Sequence, residues 1–312
     1  MTRQRAARIV PGGRSSLTMP PRMSSTPRDP PPALVADEAA IARLAAELAT
    51  EKVIALDTES NSFHAYRERV CLIQISTPAQ DYVVDPLAVD VRPLGPVLCD
   101  GRETVLHGAD YDVRCLRREY GWRLPRLFDT MIAARRLGEA GLGLSALVEA
   151  RFGVRLSKAH QRSDWGRRPL APEQVAYAAL DTHYLLPLHA LLGAELVARG
   201  AEAEARAEFD RTAAAEPRER VFDPEGWRRM KGARELDGPG REVLRALWLV
   251  REDRARAADR PPFKVLAEQT MIEIARRRPR SQEDLARIPG ATPSVVRRLG
   301  GDILAAVVAA AV

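Results

Sequence analysis

The chain has 312 residues, roughly twice the usual domain size, which predicts two domains. Its hydrophobic fraction is 46%, and that fraction is nowhere gathered into the roughly 20 uncharged residues of a membrane span, which excludes a protein built on membrane-crossing helices. Forty-eight basic residues against 42 acidic give a net charge of +6, and three cysteines, Cys71, Cys99 and Cys115, form neither a disulfide framework nor a zinc-ligand spacing. Reduced thiols in the cytoplasm are the expectation.

The charge is unevenly spread. Residues 1–33 hold six Arg and one Asp, the stretch from Phe222 onward holds 18 basic and 13 acidic residues, and the body between has 24 basic against 28 acidic. An acidic body between basic ends suits an anionic polymer held at the periphery while central carboxylates do other work. An Arg-rich composition with only four lysines, Lys52, Lys158, Lys231 and Lys264, accounts for part of the same pattern.

In chain order, residues 1–33 are Arg, Pro, Gly and Ser without hydrophobic period and read as a disordered basic tail with no secretory signal. A helix is predicted over Ala39–Leu48, after Asp37 and Glu38. Strands are predicted at Val53–Leu56, Val70–Ile75, Tyr82–Val84 and Thr104–Leu106, with a short helix near Leu94–Leu98. Helices follow at Tyr111–Glu119, Asp129–Leu137 and Leu144–Phe152, then a polar loop at 155–171 and a long helix after Pro172. A sheet laid down early and covered by later helices is an α/β layered domain, here 34–200. Residues 201–222, rich in Ala, Glu and Arg, read as a helical connector. Helices around Glu242–Arg256, Lys264–Arg276, Gln282–Ala286 and Pro293–Leu299 make 223–312 a small all-α domain.

Carboxylates carry the chemistry. Asp57 and Glu59 end a buried strand two residues apart, so both face one side of the sheet and raise each other's pKa unless a cation intervenes. A hard divalent metal resolves that repulsion. His107-Gly-Ala-Asp110-Tyr-Asp112 follows the next strand, where Asp110 can cap a helix and Asp112 can face back over the sheet. Tyr177 and Asp181 stack four apart on one helix face.

Taken together these motifs, in this order, resemble the three exonuclease motifs of the DEDD 3′–5′ exonucleases with a motif tyrosine. KAHQRSDWGRRPLAPEQVAYAALDTHYLLPL at Lys158–Leu188 and the run RVCLIQIST are similar to the ribonuclease D family, and REVLRALWLVRED, PPFKVLAEQTMIEIA and LARIPG resemble one helicase-and-RNase-D C-terminal (HRDC) domain. The resemblance implies a ribonuclease-H-like fold, a mixed five-stranded sheet flanked by helices and followed by an HRDC-like nucleic-acid-binding domain. It implies a 3′–5′ exoribonuclease that releases nucleoside 5′-monophosphates from tRNA precursors or other structured RNA 3′ ends, acting as a cytoplasmic monomer with two divalent cations, Mg²⁺ or Mn²⁺. By motif position Asp57, Glu59 and Asp181 would hold the ion that activates water, Asp57 would bridge to a second ion held by Asp112, and Tyr177 would orient the water. The residues alone leave open a single-strand DNA exonuclease or an inactive RNA-binding adaptor.

Around these, Phe63, His64 and Tyr66 could stack on a base or pack on the sheet, and Arg162, Arg167 and Arg168 could meet phosphates or form a solvated loop. His107 reads as a hydrogen-bonded structural histidine, because metals of this class prefer oxygen. Gly141 and Gly143 flank a helix start without forming a phosphate cradle.

Overall fold

The computed structural model describes residues 31–217 and 221–310. Most of the expected basic tail, residues 1–30, lies outside them. Strand β1 (Ala33–Val35) opens the chain, followed by α1 (Glu38–Leu48), β2 (Val53–Ser60), β3 (Val70–Ser76), β4 (Asp81–Val84), α2 (Gly95–Leu98), β5 (Glu103–Leu106), α3 (Asp110–Tyr120) and β6 (Arg126–Asp129). Helices then run on: α4 (Thr130–Arg136), α5 (Leu144–Phe152), α6 (Pro172–His183), α7 (Leu185–Ala198) and α8 (Glu202–Ala213). The helical half comprises α9 (Gly238–Ala257), α10 (Pro262–Val265), α11 (Glu268–Arg277), α12 (Gln282–Ala286) and α13 (Pro293–Ala309).

The sheet has six strands in the order β1-β4-β3-β2-β5-β6, one more than the five implied by the resemblance. Two short edge strands escape the sequence reading. Ala33–Val35 pairs in parallel with Tyr82–Val84, although Ala33 falls in the expected tail. Residues 126–129 form β6 rather than the first turn of a helix starting at Asp129. Each edge strand offers only two or three apolar residues, too few for a period-2 signal. Asp129 ends β6 and also caps α4, its carboxylate accepting from the Met131 and Ile132 N–H groups.

Strand β3 runs antiparallel to β2 and β4, whereas β5 and β6 run parallel to β2. Every residue of β3 is buried, the mark of a strand covered on both faces. One apolar cluster packs α1, α3 and α7 on the sheet and extends to α8, where Phe209 is buried 4.9 Å from the Phe128 ring. A smaller cluster joins Cys71, Leu72 and Val83 of the sheet to Trp165 and α6. A third, from Trp227 to Val307, is the core of the helical half.

Candidate active site

Strand β2 pairs with β5 only over Val53–Ala55, so its far end, Asp57 to Ser60, is hydrogen-bonded to β3 alone. The freed edge is taken by α3. The Thr58 N–H donates to Asp112 Oδ1 at 3.1 Å, and the Thr58 hydroxyl donates to the same oxygen at 2.5 Å. Asp112 is buried and is thereby set against the Asp57-Thr58-Glu59 segment. Thr58 was not singled out by the sequence reading; its position between two motif acids was the available signal.

The turn before α3 is fixed by Asp129, which accepts from the Gly108 N–H at 3.0 Å and the Ala109 N–H at 2.8 Å. Ala109, not Asp110, is the N-cap of α3, and Asp110 instead pairs with Arg114 at 2.8 Å. His107 Nδ1 lies 2.9 Å from the Thr130 hydroxyl, the kind of hydrogen bond expected of it, and burial lowers its pKa.

Asp57, Glu59, Asp112 and Asp181 act on one another electrostatically. Burial and the neighbouring carboxylates lift Glu59 to about 8 and Asp181 to about 7. Asp112 rises to about 6, mainly through burial, with the Thr58 hydrogen bonds opposing the shift. Asp57 is raised by burial and then by Asp112, Asp181 and Glu59. The largest charge effects on these four groups come from other carboxylates. Among the described residues no three His, Cys, Asp or Glu side chains are grouped closely enough to enclose one metal ion.

Tyr177 is raised above its usual pKa by burial and by Asp181, Glu59 and Asp57, which keeps its hydroxyl protonated. Its ring lies 5.6 Å from His160 and 6.2 Å from Trp165. Two hollows meet at the acids. One of about 440 Å³ is lined by Asp57, Glu59, Asp112, Phe63, Tyr111 and Arg162, among others. The second, about 540 Å³, is lined by His107, Lys158, Tyr177 and Asp181, and Gln161 belongs to both walls. Phe63 is 60% exposed, an aromatic face open at the rim.

One expected nucleic-acid contact, Arg168, is used otherwise, and another, His64, has protein neighbours of its own. Arg168 places all five donor hydrogens inside the protein: a fork onto Asp85 at 2.6 and 2.7 Å, and the carbonyls of Trp165, Arg167 and Cys71. It anchors the 155–171 loop to the sheet and has no N–H left for a phosphate. His64 bridges three segments, with its ring near the Arg162 carbonyl (3.3 Å), Asp164 (3.6 Å) and Lys264 Nζ (3.4 Å). The same loop is tied to the helical half more firmly at Asp259, which accepts from the Tyr66 and Arg67 N–H groups at 3.1 Å each, while the Tyr66 hydroxyl donates to Glu252. Tyr66 therefore packs on the helical half, an outcome for which sequence offered no signal.

Comparison with known proteins matches this geometry to a family. Residues 32–197 match the 3′–5′ exonuclease domain and residues 240–307 the HRDC domain. Ribonuclease D of Zymomonas mobilis is 34% identical over 268 residues, covering 84% of this chain and 68% of that protein. The catalytic core of RRP6 from Trypanosoma brucei superposes with a TM-score of 0.81 at 28% identity, over 95% of this chain and 81% of that one. Escherichia coli RNase D superposes with a TM-score of 0.68 at 31% identity, over 90% and 75%. With the acids at the end of β2, on α3 and on α6 of such a sheet, the chain belongs to the ribonuclease D family and is a 3′–5′ exoribonuclease.

Proposed function

We propose that the chain trims structured RNA 3′ ends, tRNA precursors among them, releasing nucleoside 5′-monophosphates at the boundary of the two hollows. The observation that carries this is the set of four carboxylates whose pKa values burial and neighbouring carboxylates raise, beside a protonated tyrosine. Four hard oxygen donors held near one another fit two divalent cations, Mg²⁺ or Mn²⁺, and Asp57, Glu59, Asp112 and Asp181 would hold them. When bound, such ions neutralise the developing phosphate charge and lower the pKa of water. The Tyr177 hydroxyl orients the attacking water, its raised pKa making it a hydrogen-bond donor rather than a base. Thr58 holds the Asp112 carboxylate in place, Phe63 stacks on a base at the rim, and Arg162 meets a phosphate on the same wall.

The E. coli protein is described as an exoribonuclease involved in structured RNA processing, which supports the substrate class. In this reading 34–200 is the catalytic domain, 201–222 the connector, and 223–312 a nucleic-acid platform of a monomeric protein. The test is to incubate the purified chain with Mg²⁺ and matched end-labelled tRNA precursor, single-stranded RNA and DNA. Stepwise 3′ shortening of RNA with mononucleotide release is expected; full activity in excess EDTA would remove the metal mechanism, and a DNA-only product ladder would remove the substrate.

A further inference from the structure

The helical half contains a hollow of its own, about 500 Å³, lined by Trp227, Arg228, Ala233, Arg234 and Arg241. The nearby acids are already committed: Asp223 to Arg229, Glu225 to Arg228, Glu235 to Arg276 and Asp237 to Arg278. Among the described residues Arg234 and Arg241 have no carboxylate partner, and an Arg241 N–H donates to the Arg234 carbonyl at 3.2 Å, holding the two together. Arg241 also stands in the first turns of α9, the end of a helix where the dipole disfavours a cation. Both side chains are exposed and, among the described residues, without a carboxylate partner, so an anion entering the hollow meets two available guanidinium groups.

The indole that lines the same hollow supplies a second observation. Trp227 is more than nine-tenths buried, yet its N–H has no acceptor among the described residues, whereas buried donors are nearly always paired. The Arg228 guanidinium lies 5.2 Å over the same ring. An aromatic face carrying the Arg228 guanidinium, with two further exposed arginines, makes a basic hollow of the kind that holds a phosphate.

We propose that this hollow binds a phosphodiester of the RNA strand upstream of the 3′ end being trimmed, a site that rests on the exoribonuclease reading and lies largely before the HRDC match at 240–307. Helix α9 supplies the geometry. Glu252 on this helix binds Tyr66, which shares a loop with Phe63 at the catalytic hollow, and Arg241 lies 11 residues earlier, about 16 Å along the axis at 1.5 Å per residue. At about 3.4 Å per stacked nucleotide, an RNA needs roughly five nucleotides or more to reach from one hollow to the other.

The experiment compares the full-length chain with the double variant Arg234→Ala/Arg241→Ala. Turnover of a single-stranded RNA of about four nucleotides should not change, whereas KM for one of about 20 nucleotides should rise about tenfold with kcat unchanged. Equilibrium binding of the longer RNA, measured with both chains also carrying Asp57→Ala, should lose about 1.4 from its log–log salt slope, 0.7 for each single-strand phosphate contact. Arg234→Lys/Arg241→Lys should restore that slope. An unchanged slope and KM for the longer RNA would overturn the site, as would equal losses at both lengths, which a free nucleotide bound there or a misfolded variant produces. Because binding is read without catalysis, a chain that degraded no RNA would overturn the nuclease reading while the slope still judged the hollow.

Discussion

Thr58 and Asp112 are 54 residues apart in the chain and share one carboxylate oxygen, which takes the Thr58 hydroxyl at 2.5 Å and its N–H at 3.1 Å. This pair joins the strand bearing two of the motif acids to the helix bearing the third. Thr58→Val keeps the side-chain shape and the N–H bond while deleting the hydroxyl. Loss of one buried hydrogen bond to a charged group should lower unfolding free energy by about 1.5–3 kcal/mol in urea titrations, and turnover should fall with it. A Val variant as stable and active as the parent would show that the backbone bond alone holds Asp112.

The acid cluster makes the metal-free protein sensitive to pH in a definite direction. Glu59 titrates near 8, Asp181 near 7 and Asp112 near 6, all above the ordinary carboxylate values near 4. Between those ordinary values and pH 8 the folded chain binds more protons than the unfolded one, so this cluster's contribution to stability falls as pH rises through that window. Asp57→Asn removes one repelling charge. Its Tm in EDTA should therefore exceed that of the parent, by more at pH 8 than at pH 5, while turnover disappears. A Tm difference that does not grow with pH would mean that the acids do not act on one another.

Binding of Mg²⁺ should act on the same groups. Deprotonated carboxylates are the ligands, so the ion should raise Tm more at pH 8 than at pH 5 and release protons as it binds. Calorimetric titration in two buffers of different ionisation enthalpy measures that release. Cation binding without proton release at pH 7 would place the ion on groups other than Glu59 and Asp181.

Tyr177→Phe retains the ring between His160 and Trp165 and removes only the hydroxyl. RNA binding should persist while kcat falls by about 10²–10⁴-fold, the scale for losing a water-positioning or acid–base group. Single-turnover kinetics with saturating enzyme separate the two quantities, and an unchanged rate would reduce Tyr177 to packing.

Asp259 connects the helical half to the loop that carries Phe63. Its backbone is left-handed, with φ of 43°, so Asp259→Gly removes the carboxylate without adding strain. Hydrogen exchange at the Tyr66 and Arg67 amides should accelerate, and KM for RNA should rise with kcat little changed, because the acids are untouched. Exchange as slow as in the parent would show that Tyr66 packing alone fixes the loop.

Local chain order carries much of this molecule. The period of the apolar residues was enough to anticipate β2 to β5 and most helices, since each has several residues with which to show a 2.0 or 3.6 repeat. Asp57, Glu59, Asp112, Tyr177 and Asp181 were legible because each sits at a fixed offset within a strand end or helix turn. What tertiary structure decided lies where partners are distant in sequence. Edge strands β1 and β6 exist only because β4 and β5 are there to pair with them. Whether Arg168 met a phosphate or the protein was open in the sequence until Asp85, 83 residues away, proved to take its guanidinium, and Lys264, 200 residues away, proved to lie beside His64. A side chain's donors are allotted by whatever neighbours the fold delivers, and that allotment is not written in the residues on either side of it.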